Sequence, residues 1–457
     1  MSESDLAIVA ALIVAWGALS ARLERFDVTA PIVFVLAGLA LTHGPLAPLG
    51  ITPSRELIKG MAEITLVLVL FCDASRVGLP ELRAEAGLYG RLLGIGLPLT
   101  IGLGTLLALT LAGITNIWFA LLVGAALAPT DAALGAGVMA NPLVPARIRR
   151  LINVESGLND GIATPFVSVA LAGAAAAAHD SGTTPVQAVA ELALGIVIGV
   201  AVGGAGGLLI KAASRRGWAA DGFAGSAVLA LAVCAYACSL ALHGNGFIAA
   251  FIGGLAFGTA GGRQGAPLVP FVEEAGALVS LLVWLAFGIV AVVPAVQDLT
   301  WQIMVYAVLS VTVIRMIPVA AVLIGTGLGW PARAFVGWFG PRGLASVVFA
   351  LLALESLGHR ADTAVTVISI TVLLSVIAHG VTAEPLAHRC AAVLSRTAGG
   401  PAAAGRPEVP TRKLIRHRSG GPARQADLGW VRGHGDRRPP SPTTLRDGFR
   451  PAGTNMQ

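Results

Sequence analysis

The run NVESGLNDGIATPFV, Asn153 to Val167, decides how the rest of the chain is read. It places Glu155, Asn159 and Asp160 inside a segment otherwise apolar enough to cross a bilayer. A charge at the bilayer centre costs ~2.5–3.5 kcal/mol on insertion scales. Two carboxylates in one turn and a half of such a helix imply a use for them. Asp131, in LAPTDAALGAG, is a further acid in an apolar run. Buried acids of this kind mark ion or proton pathways.

Composition agrees with a membrane setting. Charged residues make up 12% of the chain and hydrophobic ones 55%. Soluble domains carry about 25% charge, which excludes that class. The 57 glycines suit close helix packing in lipid. Much of the basic excess lies after the last apolar run, so it gives no ground for nucleic-acid binding by the core. Cys72, Cys234, Cys238 and Cys390 form no CxxC pair and have no histidine cluster near them; they read as small packing residues. MSESDLAIVAALIVAWGALSARL has an acidic start and reads as a first span, not a cleaved leader.

Apolar runs of spanning length fall near 5–22, 28–46, 57–74, 89–112, 117–140, 150–177, 187–210, 222–242, 246–260, 274–293, 300–327, 334–354 and 363–386. An all-α polytopic membrane protein of about thirteen spans follows, with a transmembrane domain over 1–393. With the amino terminus outside, the inner loops collect Arg22, Arg25, Arg76, Arg83, Arg91, Arg147, Arg149, Arg150, Lys211, Arg215, Arg216, Arg263 and Arg333. The outer loops keep Arg55, Lys59 and Arg360, so the positive-inside rule is obeyed. A multi-pass protein of the cell (plasma or inner) membrane is expected. Residues 397–457 turn to Pro, Gly, Arg and Ser without apolar periodicity, the composition of a disordered cytoplasmic tail.

Two spans are interrupted at matching places. The fifth carries Pro129-Thr130-Asp131 and the twelfth Phe339-Gly340-Pro341-Arg342-Gly343. Proline and glycine free backbone carbonyls and amides inside the membrane. Paired breaks in two halves are the sequence mark of inverted repeats, here about 5–177 and 222–386, with broken helices crossing at the midplane.

Asp131 and Asp160 are hard oxygen ligands; Thr130, Ser156 and carbonyls freed at Pro129 add neutral oxygens. Ser156 and Asp160 share one helix face. A shell without Cys or His suits Na⁺ or Li⁺ and no transition metal, and no cofactor is expected. A carboxylate taken out of water holds its proton more tightly, and a cation beside it displaces that proton. One site can therefore exchange the two.

At these residues the chain resembles the cation:proton antiporter 1 family, which includes the NhaP-type Na⁺/H⁺ antiporters and the eukaryotic sodium/proton exchangers. ESGLNDG resembles the family's ESLLNDG signature, and PTDAAL its fifth-span break. LVLFCDASRV stands at its third-span acidic stretch. VIRMIPV and FGPRGLASVVFALL are similar to its eleventh and twelfth spans. The resemblance covers about residues 5 to 390. It implies an NhaA/NhaP-like antiporter fold, a homodimer with alternating access, and roles by position. Asp160 would be the main cation- and proton-binding carboxylate. Asp131, Ser156 and Thr130 would complete a Na⁺ shell, with Asp73 acting through water. Asn159 would tie the broken helices together, Glu155 would pair with Arg315, and Arg342 would lie at the crossover. Gly157 stands where the signature has leucine, Asp73 where many relatives have Glu, and Ala132 where proline is common.

The expected activity is Na⁺(Li⁺)/H⁺ antiport, electroneutral because Asn159 is the uncharged member of the Asn-Asp pair. K⁺/H⁺ antiport is the alternative within transport. An intramembrane aspartyl protease using Asp131 and Asp160 is a remote one, without a GxGD-type motif. No repeated pore loop supports a channel. His243 and His379 read as interfacial histidines at span ends, and Glu273 and Glu274 as loop-to-helix acids. Deleting the chain after Arg396 is expected to leave exchange in vesicles intact; loss of activity in a well-expressed truncation would assign the tail a role.

Overall fold

A computed structural model describes residues 3–23, 28–43, 53–77, 82–83, 85–131, 134, 144–177 and 185–397. The tail expected from residue 397 lies outside them, apart from Thr397 itself. So do residues 135–140, which close the predicted fifth span. Among the described residues every regular element is helical. The main helices, in chain order, are α1 (Glu3–Leu23), α2 (Ala30–His43), α3 (Arg55–Arg76), α4 (Ala86–Thr110), α5 (Ile117–Ala126), α6 (Ala146–Ala177), α7 (Pro185–Arg215), α8 (Asp221–Ala241), α9 (Gly246–Gly265), α10 (Val269–Val290), α11 (Trp301–Val322), α12 (Trp330–Trp338), α13 (Leu344–Leu357) and α14 (Asp362–Thr397), with a short helix at Val292–Gln297 between α10 and α11.

Each of the thirteen predicted segments contains at least part of one of these helices, the fifth only over Ile117–Ala126, and the twelfth is the pair α12 and α13. Polar residues start several of them. Ser54, Asn116, Asn245 and Thr300 accept hydrogen bonds from the first-turn amides of α3, α5, α9 and α11. Such caps satisfy amides that have no partner within the helix. Gly262, at φ 53°, bends the chain near the end of α9, and Gly358, at φ 57°, closes α13.

Two groups of helices result. In one, α9 lies between α7 and α3, α10 packs on α2 and α3, and α8 joins α7, α9 and α10. Trp16 of α1 meets Phe34 of α2 edge-on. The α7–α9 seam rests on Gly195, Gly199, Gly203 and Gly207, spaced every fourth residue. A Cβ at Gly195 would stand 2.6 Å from Asn245 O, and one at Gly199 2.7 Å from Ala249 O. In lipid such small-residue stripes let backbones approach and gain van der Waals contact.

The other group contains α4, α5, α6 and α11 to α14. It meets the first where α6 touches α3, α7 and α9, and where α13 touches α3 and α10. Lys59 on α3 pairs with Glu355 on α13 at 3.2 Å. Arg76 and Glu273 join α3 to α10, so Glu273 holds two helices of the first group together.

The halves echo each other in detail. α4 contains a π turn at Leu92–Gly96 and α11 one at Ser310–Ile314. A proline follows each, Pro98 and Pro318. Proline cannot donate to the carbonyl four residues back, and the wider turn absorbs its ring.

Inside the second group Arg315 of α11 donates to both oxygens of Glu155 on α6, at 3.0 and 2.9 Å. The two residues are only 2% and 4% exposed. A bidentate guanidinium–carboxylate pair of this kind offsets two buried charges, and removing one partner strands the other. Glu155→Ala and Arg315→Ala should each destabilise the protein by ~3–5 kcal/mol, whereas the double substitution should recover part of that loss. Thermal unfolding of the four proteins in one detergent measures it; a double variant as unstable as the sum of the singles would show the two to be uncoupled.

Candidate functional site: the crossing of two broken helices

α5 ends at Ala126, where Pro129 and the turn before it prevent a further helical turn. Residues 127–131 run on as irregular chain. The twelfth span breaks in the same manner, between Trp338 and Leu344. The two unwound segments meet. The amide of Asp131 donates to Pro341 O at 2.8 Å. The amide of Leu344 lies 3.4 Å from Asp131 Oδ2, so this carboxylate faces the positive end of α13. Gly343 has no room for a Cβ, which would run into the Asp131 side chain.

Carbonyls freed by the first break are taken up by side chains. Ser346 Oγ donates to Ala126 O at 2.6 Å. Arg342, fully buried, donates Nη1 to Ala128 O at 3.2 Å and Nη2 to Ser310 O at 3.1 Å. Ser156 Oγ donates to Thr130 O, and Asn159 Nδ2 to Thr130 Oγ1 at 2.7 Å. Asn159 is wholly buried, and its Oδ1 has no hydrogen-bond partner among the described residues.

Each residue of the ESGLNDG stretch thus has a place on α6. Glu155 holds Arg315; Ser156 and Asn159 hold Thr130. Leu158 is buried in the core. Gly157 faces α3, where an added Cβ would lie 3.7 Å from Asp73 Cβ. Asp73 is therefore next to the signature helix, opposite Gly157. Gly161 lies under the ring of Phe251 from α9, too close for any side chain. Asp160, 7% exposed, lies in the chain between Asn159, which bonds Thr130, and Gly161, and Thr164 Oγ1 donates to its backbone carbonyl at 2.7 Å. Among the described residues no three His, Cys, Asp or Glu side chains group as a metal site. The local donors are mixed oxygens: carboxylate, hydroxyl, amide and main-chain carbonyl.

Of the residues singled out in the sequence, Thr130, Asp131, Ser156, Asn159 and Arg342 meet at the crossing and Glu155 pairs with Arg315, while Asp160 follows Asn159 on α6 and Asp73 faces Gly157. Sequence reading misses four contributors. Ser346 and Ser375 are small polar residues in apolar spans, a weak signal, and Ser310 contributes only its main-chain carbonyl, which no residue type announces. His379 is a correction. Expected at an interface, it is 1% exposed and lies against the twelfth-span break, its ring 5.3 Å from that of Trp338. The span reaches further than hydropathy indicated, because α14 continues to Thr397. His243, by contrast, is exposed at the end of α8.

Known proteins resemble this chain in sequence and in fold. A curated K⁺/H⁺ antiporter NhaP from Alkalimonas amylolytica is 26% identical over 337 residues, 72% of this chain. The chain spans 57% of that relative's length. The structure of the sodium proton antiporter MjNhaP1 from Methanocaldococcus jannaschii at pH 8 superposes with a TM-score of 0.70 and 21% identity, covering 84% of this chain and 98% of the other. A second structure of that antiporter, from electron microscopy, gives 0.65 and 19%, with 85% and 98% covered. The family model for the transmembrane sodium/hydrogen exchanger matches residues 8–389. With that match spanning nearly the whole helical body, and with the fold of an NhaP antiporter, this chain belongs to the sodium/hydrogen exchanger family, whose members are transporters and not enzymes.

Proposed function

We propose that this protein exchanges a monovalent cation for protons across the membrane at a single site centred on Asp160. The observation that carries this reading is the burial of Asp160 beside a crossing of unwound chain. Thr130, Ser156 and the unpaired Oδ1 of Asn159 supply neutral oxygens there. Such a shell fits a hard monovalent ion. Asp131 offers a further carboxylate from the crossing and Asp73 one from α3. The remote protease reading is set aside by the family.

The preferred cation in this reading is Na⁺, with Li⁺ as a smaller congener; the family description and the sodium antiporter fold support it. K⁺ is the second reading, favoured by two observations. One relative is a K⁺/H⁺ antiporter, and Gly157 leaves the space beside Asp73 without a side chain. Uptake into proteoliposomes under an imposed pH gradient, with Na⁺, Li⁺ and K⁺ supplied separately, distinguishes them. One proton per cation is the simplest stoichiometry, because Asn159 cannot ionise. The distribution of basic loop residues supports an outer amino terminus and a cytoplasmic tail in the cell membrane. A homodimer, which the resemblance implies, has candidate faces in helices such as α1, whose Leu6, Val14 and Leu19 are exposed within one chain.

The architecture supports alternating access. The group holding the crossing meets the α2–α3–α7–α10 group through α6 and α13, so movement of one group against the other would carry the site between the two sides.

Asp160→Ala should abolish exchange while the protein still inserts and purifies as a monodisperse species. Cation-driven proton movement at the normal rate in vesicles of that variant would remove Asp160 from the site.

Proton and cation should compete. A carboxylate out of water favours its protonated form until a cation arrives or the pH rises. Lower pH should therefore weaken apparent cation affinity and leave the maximal rate, at saturating cation, much less affected. At high pH the rate should fall again for want of protons. The profile is a bell whose acidic limb moves to lower pH as the cation is raised. Rates at several cation concentrations test this, and an acidic limb that stays fixed would mean separate sites.

A further inference from the structure

α14 carries Ser375, His379 and Thr382 at helical spacing on one face. All three reach the twelfth-span break or the ring that precedes it. Trp338 Nε1 donates to Thr382 Oγ1 at 3.1 Å. His379 Nε2 lies 2.8 Å from Trp338 O, at the last residue of α12. Ser375 Oγ accepts the amide of Arg342 at 2.8 Å. His379 Nδ1 lies 3.2 Å from that Oγ and 2.8 Å from Ser375 O. The imidazole is packed between Trp338 and Phe339 of the break itself, with ring centroids at 5.3 and 6.4 Å.

A carbonyl oxygen only accepts, so a bond across to Trp338 O needs a proton on Nε2, whereas the opposite tautomer would bond Ser375 O within α14 and leave the break unbridged. Nδ1 then meets Ser375 in either form of the ring. It accepts from the hydroxyl when neutral, or donates to the carbonyl when protonated. Trp338 O and Arg342 N stand on opposite sides of the missing helical turn. His379 and Ser375 together bridge the gap that the absent ladder leaves. On the other side of the same segment Pro341 O takes the amide of Asp131, and Leu344 N reaches Asp131 Oδ2. The break is held between α14 and the fifth span.

We propose that His379 is a positioning residue for exchange: through Trp338 O, and through Ser375 to Arg342 N, it holds the unwound segment in the register that sets Asp131 and Thr130 against the Ser156–Asp160 turn. This rests on the exchange reading above, and it deepens that reading by adding a side chain that meets neither cation nor transported proton.

The test uses the full chain in liposomes. With ¹⁵N-labelled histidine, the signal lost in His379→Gln identifies residue 379 by solid-state NMR. Its Nε2 should carry the proton; an unprotonated Nε2 would overturn the proposal. In transport, His379→Phe keeps a ring against Trp338 but loses both bonds. The apparent KM for the cation should rise roughly fivefold, the loss of about one net hydrogen bond, with the maximal rate reduced less. His379→Gln, whose amide can still reach Trp338 O, should recover most of that affinity. Ser375→Ala should raise KM as well and add little to His379→Phe. Normal KM in the Phe variant, or additive effects of the two substitutions, would overturn the proposal. Should the Phe variant not accumulate, Ser375→Ala and the nitrogen resonances decide. Wild-type vesicles that exchange no cation would defeat the functional reading instead, and the NMR result would still judge the bond.

Discussion

The hydrogen bond from the amide of Asp131 to the carbonyl of Pro341 joins two pieces of chain that have left their helices within apolar surroundings. Unpaired backbone groups there are expensive, since no bulk water can replace the lost ladder. Much of the centre of this protein answers that constraint. Ser346, Arg342 and Ser156 take the carbonyls of Ala126, Ala128 and Thr130, while Ser375 takes the amide of Arg342. The same side chains that satisfy the backbone also fix where the carboxylates stand.

The two repeats solve this problem with different chemistry. After the first break, α6 supplies Ser156 and Asn159, and beside them the acid Asp160. After the second, α14 supplies Ser375 and His379, and the break itself brings Arg342. The first half thus gathers negative charge and oxygen atoms, and the second gathers donors. Arg342 reaches across to Ala128 and Ser310, so a fixed guanidinium lies where the two halves meet.

Glu155 and Arg315 add a neutral anchor. Their bidentate pair joins α6 to α11, and Gly340 has no Cβ because the Arg315 guanidinium fills that space. A buried ion pair is weak evidence of net stability, but it resists rearrangement because either partner alone is costly to leave behind. The arrangement keeps α6, α11 and the twelfth-span break in one body.

Hydropathy and charge by themselves determined the membrane class, the thirteen spans and the positions of both breaks, because those depend on runs of residue type and on proline and glycine. The ESGLNDG stretch named the α6 residues, since an acid is conspicuous in an apolar run. Asp73 could be ranked only by resemblance until the structure set it opposite Gly157. His379 was misjudged as interfacial, since sequence cannot say that α14 runs on past it or that Trp338 ends a helix against it. The π turns in α4 and α11 were likewise unread, although Pro98 and Pro318 cause them. Which lone polar side chain meets which freed carbonyl was decided only by tertiary structure. A serine or histidine in an apolar helix has the same local sequence whether it faces lipid, its own helix or a broken one, and only packing brings its partner within hydrogen-bond reach.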